Sequence, residues 1–144
     1  MAPSATFMSD SGNSLQILVV EDHADTRHLM ERFLRASGHT VTAADSFRAG
    51  AAALGSQTFD VLVSDIGLPD GRGWDLLAEG KTPPNLYAVA MSGFGTSPDR
   101  ARSAAAGFRH HLLKPINLDQ LEAILTEASA ERRARGISSA PEPE

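Results

Sequence analysis

Acidic, hydroxyl and basic side chains stand directly after four apolar runs of the 144-residue chain. Glu21 and Asp22 follow the first run, Asp65 follows the third, Ser92 the fourth and Lys114 the fifth. Carboxylates brought together repel each other by roughly 4 kcal/mol per pair at about 4 Å and an effective dielectric near 20. A divalent cation relieves this repulsion, and oxygen ligands are those that Mg²⁺ prefers. These residue types therefore predict Mg²⁺-assisted phosphoryl chemistry with Asp65 as the nucleophile.

The hydroxyl and the ammonium complete this chemistry. Lys114 can pair with Asp65 or with an oxygen of a transferred phosphoryl group, and Ser92 can donate a hydrogen bond to another such oxygen. Phosphoryl transfer depends mainly on positioning and charge neutralisation, so this small set of side chains is sufficient for it.

The loop after the nucleophile contains several glycines and a proline. Gly67 lets the backbone come close, so that its carbonyl could serve as a metal ligand. Pro69 stiffens the loop, and Gly71 and Gly73 are expected to adopt unusual dihedral angles before the next helix.

Five short apolar runs, each followed by a segment with helical features, predict an alternating α/β fold. The predicted strands are residues 15–20, 39–45, 59–65, 86–91 and 109–113. Strict alternation implies parallel strands joined by right-handed crossovers, and therefore a three-layer sandwich.

Capping residues predict where the intervening helices begin and end. Asp45 or Ser46 is expected to cap the second helix, and Gly55 to lie beyond its end. Ser97 is expected to cap the fourth helix, with a proline at the first helical position, and Asn117 the last helix.

Composition disfavours several classes of protein. The formal net charge of −5 argues against a nucleic-acid partner, and no run approaches the roughly 20 apolar residues that cross a bilayer. The chain has no cysteine, which excludes disulfides and thiolate chemistry and fits the cytoplasm. The start of the chain lacks the features of a secretory signal. We expect a disordered leader over 1–14, one ordered domain over 15–130 and a disordered tail over 131–144.

The ordered set of residues resembles a response-regulator receiver domain of two-component signal transduction, similar to the chemotaxis regulators. The matching stretches are Glu21-Asp22, SDIGLPDGRG around Asp65, AMSG around Ser92 and LLKPI around Lys114. The resemblance implies a flavodoxin-like fold whose five-stranded parallel sheet has the order 2-1-3-4-5. In that order the strands that end in these polar residues are neighbours, and ligands bind beyond their carboxyl ends.

The resemblance also implies roles for individual residues. Asp65 would be the phosphoacceptor, and Mg²⁺ would be held by Glu21, Asp22, Asp65 and the Gly67 carbonyl. Ser92 would be the switch hydroxyl and Lys114 the phosphate-binding lysine.

The strand-five switch position is occupied by His111, where many members of the family carry tyrosine or phenylalanine. Its ring can still pack, but an imidazole can titrate near neutrality. Because adjacent strand residues point to opposite faces, His110 and His111 are not expected to chelate a metal together.

The implied partners are a histidine kinase or histidine phosphotransfer protein and a downstream protein target, without direct binding to nucleic acid or membrane. The chain would be a monomer or a weak homodimer. Its chemistry would be self-phosphorylation and self-dephosphorylation rather than enzymatic turnover. A free-standing regulator, a phosphorelay shuttle and the receiver part of a hybrid histidine kinase are all compatible with the sequence.

Two other functions stay open. One is a phosphorylation-independent protein-interaction module with the same fold. The other is a Mg²⁺-dependent phosphatase with an aspartyl nucleophile, although that chemistry usually needs a second acid where Gly67 stands.

Overall fold

The computed structural model of the chain describes residues 14–78, 85–93 and 95–139. Most of the predicted leader and the end of the predicted tail lie outside these ranges. The strands are β1 (Gln16–Val20), β2 (Thr40–Ala44), β3 (Val61–Asp65), β4 (Gly67–Leu68), β5 (Gly71–Arg72), β6 (Tyr87–Ser92) and β7 (His110–Leu113). The helices are α1 (Ala24–Ala36), α2 (Phe47–Ser56), α3 (Trp74–Ala78), α4 (Ser97–Ala106) and α5 (Leu118–Ser139).

Five of the described strands form a parallel sheet with the order β2-β1-β3-β6-β7. Because β6 and β7 are the predicted fourth and fifth strands, this is the predicted order 2-1-3-4-5. The prediction of a flavodoxin-like α/β fold is confirmed. The carboxyl ends of β1 and β3 lie side by side, with Val20 paired to Ser64. Strands β4 and β5, which the sequence did not predict, pair as a short antiparallel ribbon beyond β3.

Helices cover the sheet on both faces, which explains why its central strands are mostly apolar. All residues of β3 and β6 are buried. On one face Met30 and Leu34 of α1 and Leu121 of α5 are fully or almost fully buried in one core cluster. On the other face Leu54 of α2 and Leu76 of α3 belong to a second cluster. Burial of each such side chain contributes about 1.5–3 kcal/mol.

Two of the predicted caps are observed. Ser46 caps α2, because its Oγ accepts a hydrogen bond of 3.0 Å from the Ala49 N–H. Asn117 caps α5, because its Oδ1 accepts a hydrogen bond of 3.0 Å from the Gln120 N–H. The choice between Asp45 and Ser46 is thereby settled in favour of the serine.

Two helix boundaries were predicted wrongly. Helix α2 continues through Gly55, an exposed position where a glycine costs conformational entropy without breaking the helix. The cap of α4 is Thr96 rather than Ser97, because the Thr96 Oγ1 accepts the Asp99 N–H at 3.3 Å. Ser97 is instead the first residue of the helix.

Helix α5 extends to Ser139, beyond the predicted domain end at residue 130. Ion pairs hold this extension to the amino ends of the strands. Arg109 pairs with Glu131 at 2.5 Å, and the Arg132 Nε lies 3.4 Å from an oxygen of Asp60. A search for apolar periodicity cannot detect a helix end that is held by charges. In the described part of the chain, no helix is both long and apolar enough to cross a membrane.

Candidate functional site

Three carboxylates meet at the carboxyl ends of β1 and β3. One oxygen from each of Glu21, Asp22 and Asp65 lies within 4.8 Å of the others. Glu21 follows β1 directly and Asp65 ends β3, so the parallel pairing of these strands places them together. Glu21 is completely buried, Asp65 is almost so, and Asp22 is exposed. The described structure thus brings together the three acids that the sequence nominated.

Lys114 places an ammonium group between the two buried acids. Its Nζ lies 2.7 Å from the Glu21 Oε1 and 2.8 Å from the Asp65 Oδ2. The Lys114 N–H donates to the Ser92 carbonyl, so the pairing of β6 with β7 fixes the base of this side chain. Burial alone would lower the pKa of Lys114, but hydrogen bonds to Asp65 and Glu21 outweigh burial and raise it. The side chain is therefore a cation at neutral pH.

The other oxygens of the two buried acids accept backbone hydrogen bonds. The Glu21 Oε2 accepts the His23 N–H at 3.0 Å, and the Asp65 Oδ1 accepts the Gly67 N–H at 3.1 Å. Buried polar groups need such partners, and these two bonds fix the orientation of each carboxylate.

The cluster has the properties of a site for a hard divalent cation. Three carboxylates and one ammonium leave two formal negative charges in a small volume. Mg²⁺ commonly takes one or two carboxylates and completes its shell with waters and phosphate oxygens. The exposed Asp22 leaves one side of the cluster open to solvent. The residues present therefore fit Mg²⁺.

The loop after Asp65 is tied to the start of α2 by Asp70. The two carboxylate oxygens of Asp70 accept the N–H groups of Phe47 at 2.8 Å and Arg48 at 3.0 Å. These two bonds hold the pKa of Asp70 below its ordinary value, and the bond from Arg48 has the larger effect. This contact could not be predicted from the sequence, because the acceptor and the donors are separated by more than 20 residues.

Gly71 and Gly73 of this loop allow close approach of other atoms, and the expectation that they adopt unusual dihedral angles was wrong. Among the described residues, positive φ values occur at Gly38 and Gly107. A Cβ on Gly71 would lie 2.8 Å from the Phe47 ring, and one on Gly73 would lie 2.2 Å from the Asp65 carbonyl oxygen. Gly73 therefore lets the chain pass directly against the backbone of the predicted nucleophile.

We expect Gly73→Ala to lower the free energy of unfolding by about 1–3 kcal/mol, because the new methyl group must displace the Asp65 backbone. Urea denaturation measures this loss. Gly67→Ala is the matched control in the same loop, since a Cβ there would meet no described atom within 4 Å. Equal losses in the two variants would contradict the close approach.

A hydrogen-bonded chain leads from Ser92 through three further elements. The Ser92 Oγ lies 2.8 Å from the His111 Nε2, and the His111 Nδ1 lies 2.8 Å from the Ser103 Oγ. The Ser103 Oγ accepts the indole N–H of Trp74, also at 2.8 Å. We call these four residues the Ser92–Trp74 chain.

The two neighbouring histidines lie on opposite faces of β7, as expected. The His110 Nε2 lies 3.0 Å from the Tyr87 hydroxyl and 3.1 Å from the Glu127 Oε1, whereas His111 contacts Ser92 and Ser103. Their side chains therefore make contacts on different faces of the sheet.

A cleft of about 290 Å³ lies beside the acid cluster. Its polar and aromatic lining is Asp65, Arg72, Trp74, Ser92, Asp99, His111 and Lys114. The nominated hydroxyl and lysine therefore face the same space as the nominated nucleophile.

Neither Ser103 nor Trp74 was among the residues nominated from the sequence. A signal was present, because a buried tryptophan usually needs an acceptor for its indole N–H. The identity of that acceptor depends on how α3 packs against α4, which no local pattern reveals.

The family model of the response regulator receiver domain matches residues 17–126. An uncharacterized 14.6 kDa protein in the sodA1 3′ region of Leptolyngbya boryana is 33% identical over 113 residues, which cover 76% of this chain and 85% of that protein. The virulence sensor protein BvgS of Bordetella bronchiseptica is 34% identical over 127 residues, which cover 81% of this chain but 10% of the sensor. The chain thus spans most of one relative and a small part of the other.

A solved structure of a receiver domain is also similar to this chain. The receiver domain of the sensor histidine kinase PA1611 from Pseudomonas aeruginosa has a TM-score of 0.72 and 25% identity, with 81% of this chain and 98% of that domain covered. That structure has a magnesium ion coordinated in the active site cleft.

Proposed function

This chain belongs to the response regulator receiver domain family, and we propose on that basis that Asp65 accepts a phosphoryl group from a histidine of a partner protein. The partner would be a histidine kinase or a histidine phosphotransfer protein. The observation that carries the proposal is the position of Asp65, which joins the acid cluster, contacts Lys114 and lines the cleft.

The proposed transfer is a displacement at phosphorus. A carboxylate oxygen of Asp65 forms a bond to phosphorus while the bond from phosphorus to the donor imidazole nitrogen breaks. That nitrogen keeps the bonding electron pair and takes a proton from water. Lys114 places its charge beside the incoming phosphoryl oxygens, and Ser92 donates a hydrogen bond to one of them.

Glu21, Asp22, Asp65 and the carbonyl of Gly67 would hold Mg²⁺. When bound, Mg²⁺ would offset the negative charge of the phosphoryl group and of the acids around it. The magnesium in the PA1611 receiver supports this assignment by similarity. Glu21 is one methylene longer than aspartate, and it can reach the metal directly or through a bridging water.

The output would be a changed protein-interaction face that a downstream protein binds. The chemistry is confined to self-phosphorylation and to hydrolysis of the resulting acyl phosphate, in the cytoplasm. A free-standing regulator and the receiver part of a hybrid histidine kinase both fit the relatives, which include a protein of similar length and a sensor. The alternative function is a phosphorylation-independent interaction module with the receiver fold.

Incubation with Mg²⁺ and acetyl phosphate should add one phosphoryl group to the protein, because Asp65 is open to a small donor through the cleft. Intact-protein mass spectrometry detects the gain, and chelation of Mg²⁺ by EDTA should remove it. A protein that takes no phosphoryl group from acetyl phosphate, phosphoramidate or a phosphorylated partner would favour the interaction module. Steady hydrolysis of p-nitrophenyl phosphate would instead favour a phosphatase.

A further inference from the structure

The Ser92–Trp74 chain joins the proposed phosphorylation site to two helices on its far side. Trp74 begins α3, Ser103 lies on α4, His111 lies on β7 and Ser92 ends β6. Ser103 is 1% exposed and Trp74 is 8% exposed, so water has little access to the contact between them.

The donor and acceptor properties of these groups give the hydrogen bonds of the Ser92–Trp74 chain one direction. An indole N–H can only donate, so the Ser103 Oγ accepts from Trp74. The hydroxyl proton of Ser103 then points to the other contact of this buried oxygen, the His111 Nδ1. A neutral imidazole that accepts at Nδ1 carries its proton on Nε2, and that nitrogen donates to the Ser92 Oγ. The opposite order would bring two N–H donors to the Ser103 Oγ and leave its buried hydroxyl proton without an acceptor among the described contacts.

We infer that Ser103 is a positioning residue for the switch hydroxyl, acting through the His111 imidazole. His111 holds the Ser92 Oγ at the edge of the cleft that Ser92 shares with Asp65. This inference rests on the proposed function, because the position of that hydroxyl matters when a phosphoryl oxygen arrives at Asp65. Ser103 contacts no reacting atom.

The inference also links the site to the position of α4. Any displacement of α4 moves Ser103 relative to His111, and the imidazole transmits the change to Ser92. Trp74 lies at the opposite end of the Ser92–Trp74 chain from Ser92. It is the single tryptophan of the protein and therefore serves as a fluorescent reporter.

The hydrogen-bond order is tested first in the unphosphorylated protein. Nitrogen-15 NMR of the His111 ring at about pH 7.5 should show the neutral tautomer with the proton on Nε2. Ser103→Ala should shift the ring toward a mixture of tautomers, and Ser103→Thr, which keeps the hydroxyl, should restore the original pattern. A proton on Nδ1 in the wild type, or a ring unaffected by Ser103→Ala, would overturn the inference.

The positioning role is tested by the rate of phosphoryl gain from acetyl phosphate and Mg²⁺. Ser103→Ala should slow the gain by about two- to tenfold, the effect of one typical hydrogen bond. Ser103→Thr should restore most of the rate. Ser129→Ala is the matched control, because it removes a buried serine hydroxyl from α5, away from the cleft. Urea denaturation checks that each variant is folded.

The outcomes separate the inference from the proposed function. A wild type with the expected tautomer but no phosphoryl gain would overturn the proposed function and support the hydrogen-bond order. Equal rates in the wild type and Ser103→Ala would overturn the positioning role while Asp65 remained the phosphoacceptor.

Discussion

Asp65→Asn is expected to abolish the gain of a phosphoryl group from acetyl phosphate, with a rate at least about 100-fold below that of the wild type. An amide lacks the anionic oxygen that attacks phosphorus, while its shape is nearly that of the carboxylate. Lys114 keeps its contact of 2.7 Å with Glu21, so the variant should remain folded. A time course by intact-protein mass spectrometry, with and without Mg²⁺, measures the effect.

Two further acids serve as controls for this substitution. Asp70 lies in the same loop and binds the first N–H groups of α2. The Asp70→Asn protein should still gain one phosphoryl group per chain. Asp22→Asn removes an exposed member of the acid cluster, and it should raise the Mg²⁺ concentration needed for the reaction. Full phosphorylation of Asp65→Asn would place the acceptor elsewhere and refute the assignment.

Lys114→Met is expected to lower the free energy of unfolding in EDTA by about 2–4 kcal/mol. It removes the ammonium that bridges a completely buried Glu21 and a nearly buried Asp65, and removing one partner of a buried ion pair leaves the other charge uncompensated. Part of the Lys114 side chain is exposed, which keeps the expected loss below the largest values for such pairs. Urea denaturation in EDTA measures it.

Mg²⁺ should restore much of this loss. A cation that binds only the folded state stabilises it in proportion to the logarithm of its concentration over its dissociation constant. The variant carries one positive charge fewer at the cluster, so it should gain more from Mg²⁺ than the wild type. Arg35→Met is the comparison variant, since it removes an exposed ion pair with Glu31 together with a hydrogen bond to the Val41 carbonyl, and it should cost less than Lys114→Met. A Lys114→Met protein as stable as the wild type in EDTA would contradict the electrostatic role of Lys114.

The residues of the acid cluster could be predicted from the sequence because they depend only on which strands are neighbours. Glu21, Asp65 and Lys114 each stand within one residue of a strand end, and the parallel order brings those ends together. Errors of one or two residues in the strand bounds leave this result unchanged. The fold and the cluster therefore followed from patterns that are robust to local detail.

Features that depend on packing could not be predicted in this way. Ser103 lies in an alanine-rich helix, and its importance appears only when α4 brings it against Trp74 and His111. Gly73 was expected to adopt unusual dihedral angles, but a glycine is needed there because a Cβ would lie 2.2 Å from the Asp65 carbonyl oxygen. In both cases the contact that explains the residue involves a group that a pattern of residue types does not identify.

The tie between Asp70 and α2 makes the loop after Asp65 and the first turn of that helix a single unit for local unfolding. Two amide groups of the helix, those of Phe47 and Arg48, lose their acceptor whenever the loop opens. A fluctuation that draws the loop outward therefore also frays the helix, and the two segments should exchange their amide hydrogens together. The population of the open loop is thus set partly by a helix that takes no part in the chemistry.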